Sequence, residues 1–473
     1  MKTPAICATS DDSKPKHRGS LAVPRILVAA LIWAALIGCS STPSSKTNPV
    51  QTTDPVQTYL AAGVGSLETY LINQTANNFV ATSYSASGGT IQASGSISPL
   101  ANGMLDLDIT YLPGQIISSP PLTGNWVVEI PGQAALMELE TTSKFGTNTT
   151  FAPLAPTQTC PSFSSAESFQ FVTIPKNLST QTSVVSNGWN PQLETAYGSV
   201  SIATTGTAVQ FENISQNTFP AAHGGAAGAP VNPAPAGIAT TCSSTLYGQT
   251  ISVPNSSTII SPGPGTQSVP PAATIAIGPS GFLVEDSGSP QGAPDASIPP
   301  YENVLGAGYG AIGLMKPAAP IATSTLASAQ FQGILYGAAS GSSSAVASPG
   351  FRLIGSFGYA NLQTSCPALP APATSTILYG GEFANNDPSA SSFGNCDLAI
   401  DLGNQDPNNN GLYTAATVYV STGFPNNGLG SAYSFPAVAV AGTINGKYAI
   451  FLIGVDTIGS PSQPWGIYLL QSN

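Results

Sequence analysis

Charge is what this sequence most lacks. Asp, Glu, Lys and Arg make up 7% of its 473 residues, where about 25% is usual for a soluble domain. Solubility must therefore rest on Ser, Thr, Asn and Gln. Cations are the scarcer sign, 11 Lys and Arg against 22 Asp and Glu. A surface of that balance repels phosphate, so nucleic acid is not an expected partner.

Histidine is nearly missing too. His17 and His223 are the two in the chain, and His223 sits in a run of small residues, Ala221-Ala222-His223-Gly224-Gly225. That excludes a centre built on several histidines and disfavours a Ser-His-Asp hydrolase, which needs a positioned imidazole. Neither a G-x-S-x-G nucleophile turn nor a G-x-x-x-x-G-K phosphate loop occurs. Gly308-Tyr309-Gly310-Ala311-Ile312-Gly313 matches G-x-G-x-x-G. A dinucleotide site needs a helix after that motif, and Pro317 forbids one, so the stretch reads as a strand with close backbone packing.

Helical periodicity is also hard to find, because 49 Gly and 42 Pro recur every few residues. Short runs of Val, Ile, Tyr, Phe and Thr bounded by turn residues are present instead, which is the strand signature. Four hairpins stand out. Residues 438–444 and 447–453 flank Asn445-Gly446, a pair suited to a type I′ turn. Residues 126–130 and 134–137 flank Pro131-Gly132, which suits type II. Residues 199–203 and 207–211 turn at Thr205-Gly206, and 274–277 and 282–284 turn at 278–281. Stretches 437–441 and 448–453 are apolar on both faces and should lie buried between layers. Asp106 and Asp108 alternate with Leu105 and Leu107, as on the exposed face of a strand. The expected fold is an all-β antiparallel meander of some 20 strands, laid out as a propeller or, as the alternative, a small N-terminal β-barrel followed by a β-sandwich body. Domain limits are expected at 58–148 for an N-terminal β region and 149–473 for the main body, with 58–473 as one β architecture the other option.

The front end has a different character. Lys2, Lys14, Lys16, Arg18 and Arg25 precede an unbroken apolar run, residues 26–38, ILVAALIWAALIG. Basic flank followed by a short apolar core is the shape of a secretory signal peptide, and the run is shorter than the roughly 20 residues a spanning helix needs. Leu36-Ile37-Gly38-Cys39 resembles the lipobox of bacterial lipoproteins. That resemblance implies a signal peptide at 1–38, cleavage before Cys39, a diacylglyceryl group on its thiol and an acyl chain such as palmitate on its new amine. Two or three chains hold a membrane tightly at about 0.8 kcal/mol per buried CH₂. Ser40, where an aspartate would imply inner-membrane retention, resembles an outer-membrane address. Residues 39–57 then read as a Ser/Thr/Pro linker. Past residue 38, six Lys and Arg remain against 20 Asp and Glu.

Outside the signal and the lipobox, cysteines stand at 160, 242, 366 and 396. An even number in an exported chain reads as disulfides. Three connectivities are open, and sequence neighbours favour Cys160–Cys242 and Cys366–Cys396. None has the C-x-x-C spacing of a thiol redox or zinc site. The segments 169–175 (FQFVTIP), 196–200 (AYGSV), 380–383 (GGEF), 396–403 (CDLAIDLG) and 465–471 (WGIYLLQ) resemble a family of uncharacterised β-rich lipoproteins of environmental bacteria. That resemblance implies no activity.

Two features ask a chemical question. Asp406-Pro407-Asn408-Asn409-Asn410-Gly411 matches the first half of a calcium loop, although Thr417 stands where the loop's bidentate Glu belongs. Asp401 and Asn404 could supply further oxygens, so Asp401, Asn404, Asp406, Asn408 and Asn410 are the candidate calcium ligands. Calcium is the one cofactor suggested. Glu285-Asp286, and Glu382 with Asp387, sit at strand ends, and several of Glu285, Asp286, Glu382, Asp397 and Asp401 would have to converge in one pocket to hydrolyse or eliminate a sugar or lactone. No set of catalytic residues is identified. The expected function is a lipid-anchored envelope protein that binds or scaffolds a protein or glycan. The alternative is a carboxylate-based hydrolase or lyase, with calcium as its cofactor, acting on polysaccharide or lactone.

Overall fold

A computed structural model describes residues 56–472, leaving out 62–66, 85–89, 101–102, 112–121, 144–145, 157–161, 175–194, 206–207, 220–237, 242–273, 279, 287–309, 327–328, 338–350, 362–375, 381–397, 422–430 and 457–462. Within them lie 23 strands and one four-residue helical turn, α1 (Thr323–Leu326). The chain is all-β, as its turn-punctuated Val/Ile/Thr/aromatic runs require.

The first eight strands are β1 (Val56–Ala61), β2 (Leu67–Asn73), β3 (Asn78–Tyr84), β4 (Thr90–Pro99), β5 (Leu105–Tyr111), β6 (Leu122–Ile130), β7 (Ala134–Ser143) and β8 (Gly146–Pro156). Each pairs with the next, and β8 returns to β1 through Tyr59↔Pro156, Leu60↔Ala155 and Ala61↔Leu154. The result is a closed barrel, barrel one. A seven-stranded sheet follows, ordered β12-β11-β10-β9-β15-β14-β13. Its strands are β9 (Glu167–Thr173), β10 (Thr195–Thr205), β11 (Ala208–Phe219), β12 (Ile238–Thr241), β13 (Thr274–Ile277), β14 (Phe282–Asp286) and β15 (Gly310–Met315). A second closed barrel, barrel two, takes the rest: β16 (Gln330–Gly337), β17 (Phe351–Asn361), β18 (Thr376–Gly380), β19 (Leu398–Asp401), β20 (Leu412–Val420), β21 (Tyr433–Ile444), β22 (Lys447–Asp456) and β23 (Gln463–Gln471). It closes from Phe331↔Gln471 to Gly337↔Trp465.

The propeller expectation is thereby corrected. Propeller blades end in edge strands, whereas in each barrel hydrogen bonding runs strand to strand and back to its start, which removes its edges; the seven-stranded sheet between them keeps β12 and β13 as its edges. The N-terminal barrel of the alternative layout is present. The body behind it is a sheet plus a second barrel instead of a sandwich. The expected boundary at 148 falls inside β8, which runs on to Pro156.

Two of the four hairpins show why their turns form. Asn445 and Gly446 both have positive φ, 51° and 80°, between Ile444 and its partner Lys447, as a type I′ turn demands. At Pro131-Gly132 the Gln133 N–H donates to Ile130 O at 2.9 Å and Gly132 has φ 68°, the geometry of type II. The G-x-G-x-x-G stretch ends in β15. A Cβ on Gly313 would lie 2.6 Å from the Gln170 carbonyl oxygen, so the motif serves a close approach of β15 to β9.

Strand alternation sorts side chains into barrel interiors and a core shared by all three sheets. Barrel one is filled by Tyr59, Tyr70, Ile72, Phe79, Leu107, Val127 and Met137. Barrel two is filled by Phe331, Tyr413, Val418, Ala439, Leu452, Trp465 and Leu469. The intervening positions point outward into the shared core: Trp126, Val128 and Phe151 from barrel one, Val172, Phe282 and Ile312 from the sheet, and Val440, Phe451 and Tyr468 from barrel two. Phe151 stacks on Tyr468 with ring centroids 4.3 Å apart. Phe282 meets Phe451 edge-on at 5.8 Å. Stretches 437–441 and 449–453 are buried on both faces, one toward the interior of barrel two and the other toward the shared core. Each such large apolar side chain contributes roughly 1.5–3 kcal/mol. Asp106 and Asp108 do lie on the face of β5 opposite Leu105 and Leu107, but they are half-buried, not exposed. Burial, then the neighbouring charge of Asp108, pushes the Asp106 carboxyl above its ordinary range.

Candidate functional site

The Asn-rich loop joins β19 to β20 on barrel two. Several of its oxygens are engaged by hydrogen-bond donors. Asp406 Oδ1 accepts the Asn408 N–H at 2.8 Å and the Asn409 Nδ2 amide at 3.4 Å. Asp401 Oδ1 accepts the Gly403 N–H at 2.8 Å. Asn410 Nδ2 donates to Pro317 O at 3.1 Å. Gln405 Oε1 accepts the N–H groups of Gly411 at 2.9 Å and Ile321 at 3.2 Å. Asn404 is exposed.

Lys316 completes the arrangement, its Nζ donating to Asn408 O at 3.1 Å and Asn409 Oδ1 at 3.3 Å. Calcium needs about six to eight oxygens converging on one point. Here an ammonium group takes two of the loop's oxygens and would repel a second cation. Among the described residues no group of three or more His, Cys, Asp and Glu could hold a metal. As arranged, Asp401, Asn404, Asp406, Asn408 and Asn410 fit a lysine-clamped turn and not a calcium ion. Gly411 shows how tightly the turn is seated. It has φ 84°, and a Cβ there would meet Ala441 O at 2.3 Å. The loop also reaches the central sheet, where burial first and the charge of Asp406 second raise the Tyr197 hydroxyl above its ordinary range.

The other expected residues divide by position. Glu285 and Asp286 end β14, opposite Ile275 and Thr274 on one side and Ala311 and Gly310 on the other. Asp401 ends β19 in barrel two. Glu382, Asp387 and Asp397 lie outside the described residues, as do the lipobox Cys39 and the four cysteines Cys160, Cys242, Cys366 and Cys396.

A polar cluster that sequence reasoning missed occupies one end of barrel one. Glu129 lies on β6 two residues beyond Val127, so both share the inward face that builds the barrel core. The Tyr59 hydroxyl, fully buried, donates to Glu129 Oε2 at 3.1 Å and accepts the Gly132 N–H at 3.1 Å. Gln74, at the start of the β2–β3 turn, donates its amide to Glu129 Oε1. Burial pushes the Glu129 carboxyl up to about 7, against the opposing pull of the Tyr59 and Gln74 hydrogen bonds. Burial, then the charge of Glu129, holds the Tyr59 hydroxyl well above its usual value. A carboxyl that titrates near neutrality can take up and release a proton, which marks a functional candidate. The signal in the sequence was a single acid inside an apolar strand. It was hidden because both faces of 126–130 are apolar, so alternation did not say which one turned inward.

No protein-family model, no curated protein and no solved structure matches this chain.

Proposed function

We propose that this chain is an exported lipoprotein of the bacterial envelope, carried on the outer membrane by acyl chains at Cys39, whose β body binds or scaffolds a protein or glycan without catalysing a reaction. One observation carries the anchor: basic flank, 13-residue apolar run and Leu36-Ile37-Gly38-Cys39 occur in working order. β1 begins at Val56, so residues 40–55 make the linker, and these 16 residues reach roughly 50 Å at about 3.3 Å per residue, enough to lift the body clear of a headgroup layer. The body suits a scaffold. Closed barrels leave no edges to aggregate, and a core shared by three sheets makes a stiff support for the loops between strands. Cys160–Cys242 and Cys366–Cys396 are the proposed disulfides of that body.

Metabolic labelling with a palmitate analogue tests the anchor. The native chain is expected to take up label and sediment with outer membranes, and Cys39→Ser to lose label and either leave the membrane or persist as an uncleaved precursor. Equal labelling of both would overturn the reading. Co-sedimentation of the body, residues 40–473, with envelope polysaccharide tests the binding role, and breakdown of that polysaccharide during the assay would favour a hydrolase or lyase instead.

A further inference from the structure

Glu129 stands where three segments of barrel one meet. Through Tyr59 it reaches β1, through Gln74 the β2–β3 turn, and through the Tyr59 hydroxyl the Gly132 N–H of the β6–β7 turn. That last turn, residues 131–133, also touches the central sheet. Gln133 Oε1 accepts the Ser280 hydroxyl from the β13–β14 connection, and a Cβ on Gly278 would lie 2.9 Å from the Gln133 carbonyl oxygen. The turn is therefore a joint, with the sheet on one side and the carboxyl on the other.

The groups facing that carboxyl are neutral or of the wrong sign to balance a charge. Tyr59, from β1, is the titratable one. Gln74 and Gly132 come from the two turns, and Ala135 of β7 pairs with Glu129 across the ladder. Among the described residues no Lys, Arg or His enters its environment. A protonated carboxyl is satisfied in place: it accepts from Tyr59 and gives its own proton to the Gln74 carbonyl once that amide turns round. An ionised one keeps two donors and no counter-charge at a half-buried position, where an unpaired charge is costly. Opening the turn to water relieves that cost.

We propose that Glu129 is a proton-operated latch, which in its neutral form holds the β6–β7 turn against the central sheet and in its ionised form releases that turn to solvent. Proton occupancy at one end of barrel one would thus set how firmly the barrel is coupled to the rest of the body.

Hydrogen exchange read by mass spectrometry at pH 6 and pH 8, with labelling times scaled to the intrinsic rates, tests the latch on the folded body. In the native chain, peptides covering 70–80 and 127–135 should lose protection about tenfold between the two, the coupling that one pH unit beyond the titration point provides. Peptides from β21 and β22 should not respond. Glu129→Gln should remain protected at both values, and Glu129→Asp, which keeps an acid, should remain responsive. Native peptides with the same protection at pH 6 and pH 8 would overturn the proposal, even if the Gln variant fails to fold. A pH response that Glu129→Gln retains would overturn it equally.

Discussion

The two barrels are built alike and finished differently. Each closes eight consecutive antiparallel strands on itself and fills its interior with aromatic and aliphatic side chains. Barrel two gives β21 and β22 to burial on both faces and keeps its polar chemistry at the rim, in the loop that Lys316 clamps. Barrel one carries a carboxyl on its inward face, tied to Tyr59 and Gln74. The contrast teaches that one topology can serve as an inert support or as a titrating element, according to whether an inward position near the barrel end is apolar or acidic.

The largest expected effect sharpens the supporting side of that contrast. Phe451 of barrel two packs against Phe282 of the sheet and Tyr468 of β23. Phe451→Ala should cost about 3–5 kcal/mol, the range for a large aromatic removed from a packed core, read as a lower denaturation midpoint at unchanged slope. A loss under about 1 kcal/mol would mean that the shared core does not couple the sheets.

Removing a proposed disulfide comes next. Each closes a loop worth roughly 3–5 kcal/mol in the chain-entropy model. The Cys160→Ser, Cys242→Ser double variant should unfold at correspondingly lower denaturant, and non-reducing peptide mapping should join those two cysteines in the native chain. Free thiols at all four positions would remove the pairing.

Glu129→Gln tests the titrating side. In the folded chain the carboxyl sits at about 7 against an ordinary 4.5, so the folded state holds the proton more tightly than the unfolded state. Between those values the folded chain binds more protons, and stability falls as pH rises. The full cost, up to about 3 kcal/mol at 1.36 kcal/mol per unit, is reached above pH 7. The Gln variant should therefore be more stable than the native chain at pH 8, and the advantage should vanish below about pH 4.5. Denaturant melts across that window measure it. A neutral replacement in barrel two, Thr417→Gln on β20, leaves Glu129 in place, so its difference from the native chain should not change with pH.

The smallest effect belongs to the Asn-rich loop. Calcium and chelator should leave the melting temperature unmoved, because Lys316 and backbone N–H groups hold the loop oxygens. Asp406→Ala, which removes a turn contact at a partly exposed site, should cost no more than about 1 kcal/mol. A calcium-dependent rise that Asp406→Ala abolishes would reinstate the ion.

Local features of this fold were legible because they depend on neighbours in sequence. Asn445-Gly446 and Pro131-Gly132 announce their turns, and the doubly apolar runs at 437–441 and 448–453 announce burial. Barrel closure was not legible. It rests on pairings of distant strands, β1 with β8 and β16 with β23, and a period of two with short turns reads alike for a blade, a sandwich or a barrel. The surroundings of the calcium motif were not legible for a related reason: Lys316, some ninety residues away in sequence, brings a cation to two of the loop's oxygens. Glu129 escaped notice because its role depends on Tyr59, which lies 70 residues earlier in the chain.

The proposal that matters most is that this β body is carried on lipid at Cys39. Mass spectrometry of the N-terminal peptide of the protein recovered from the envelope of its own cell addresses it directly. The expected result is a peptide beginning at Cys39 and bearing a diacylglyceryl thioether with an acylated amine. A peptide that retains residues 26–38, or one that begins at an unmodified residue beyond Cys39, would contradict it.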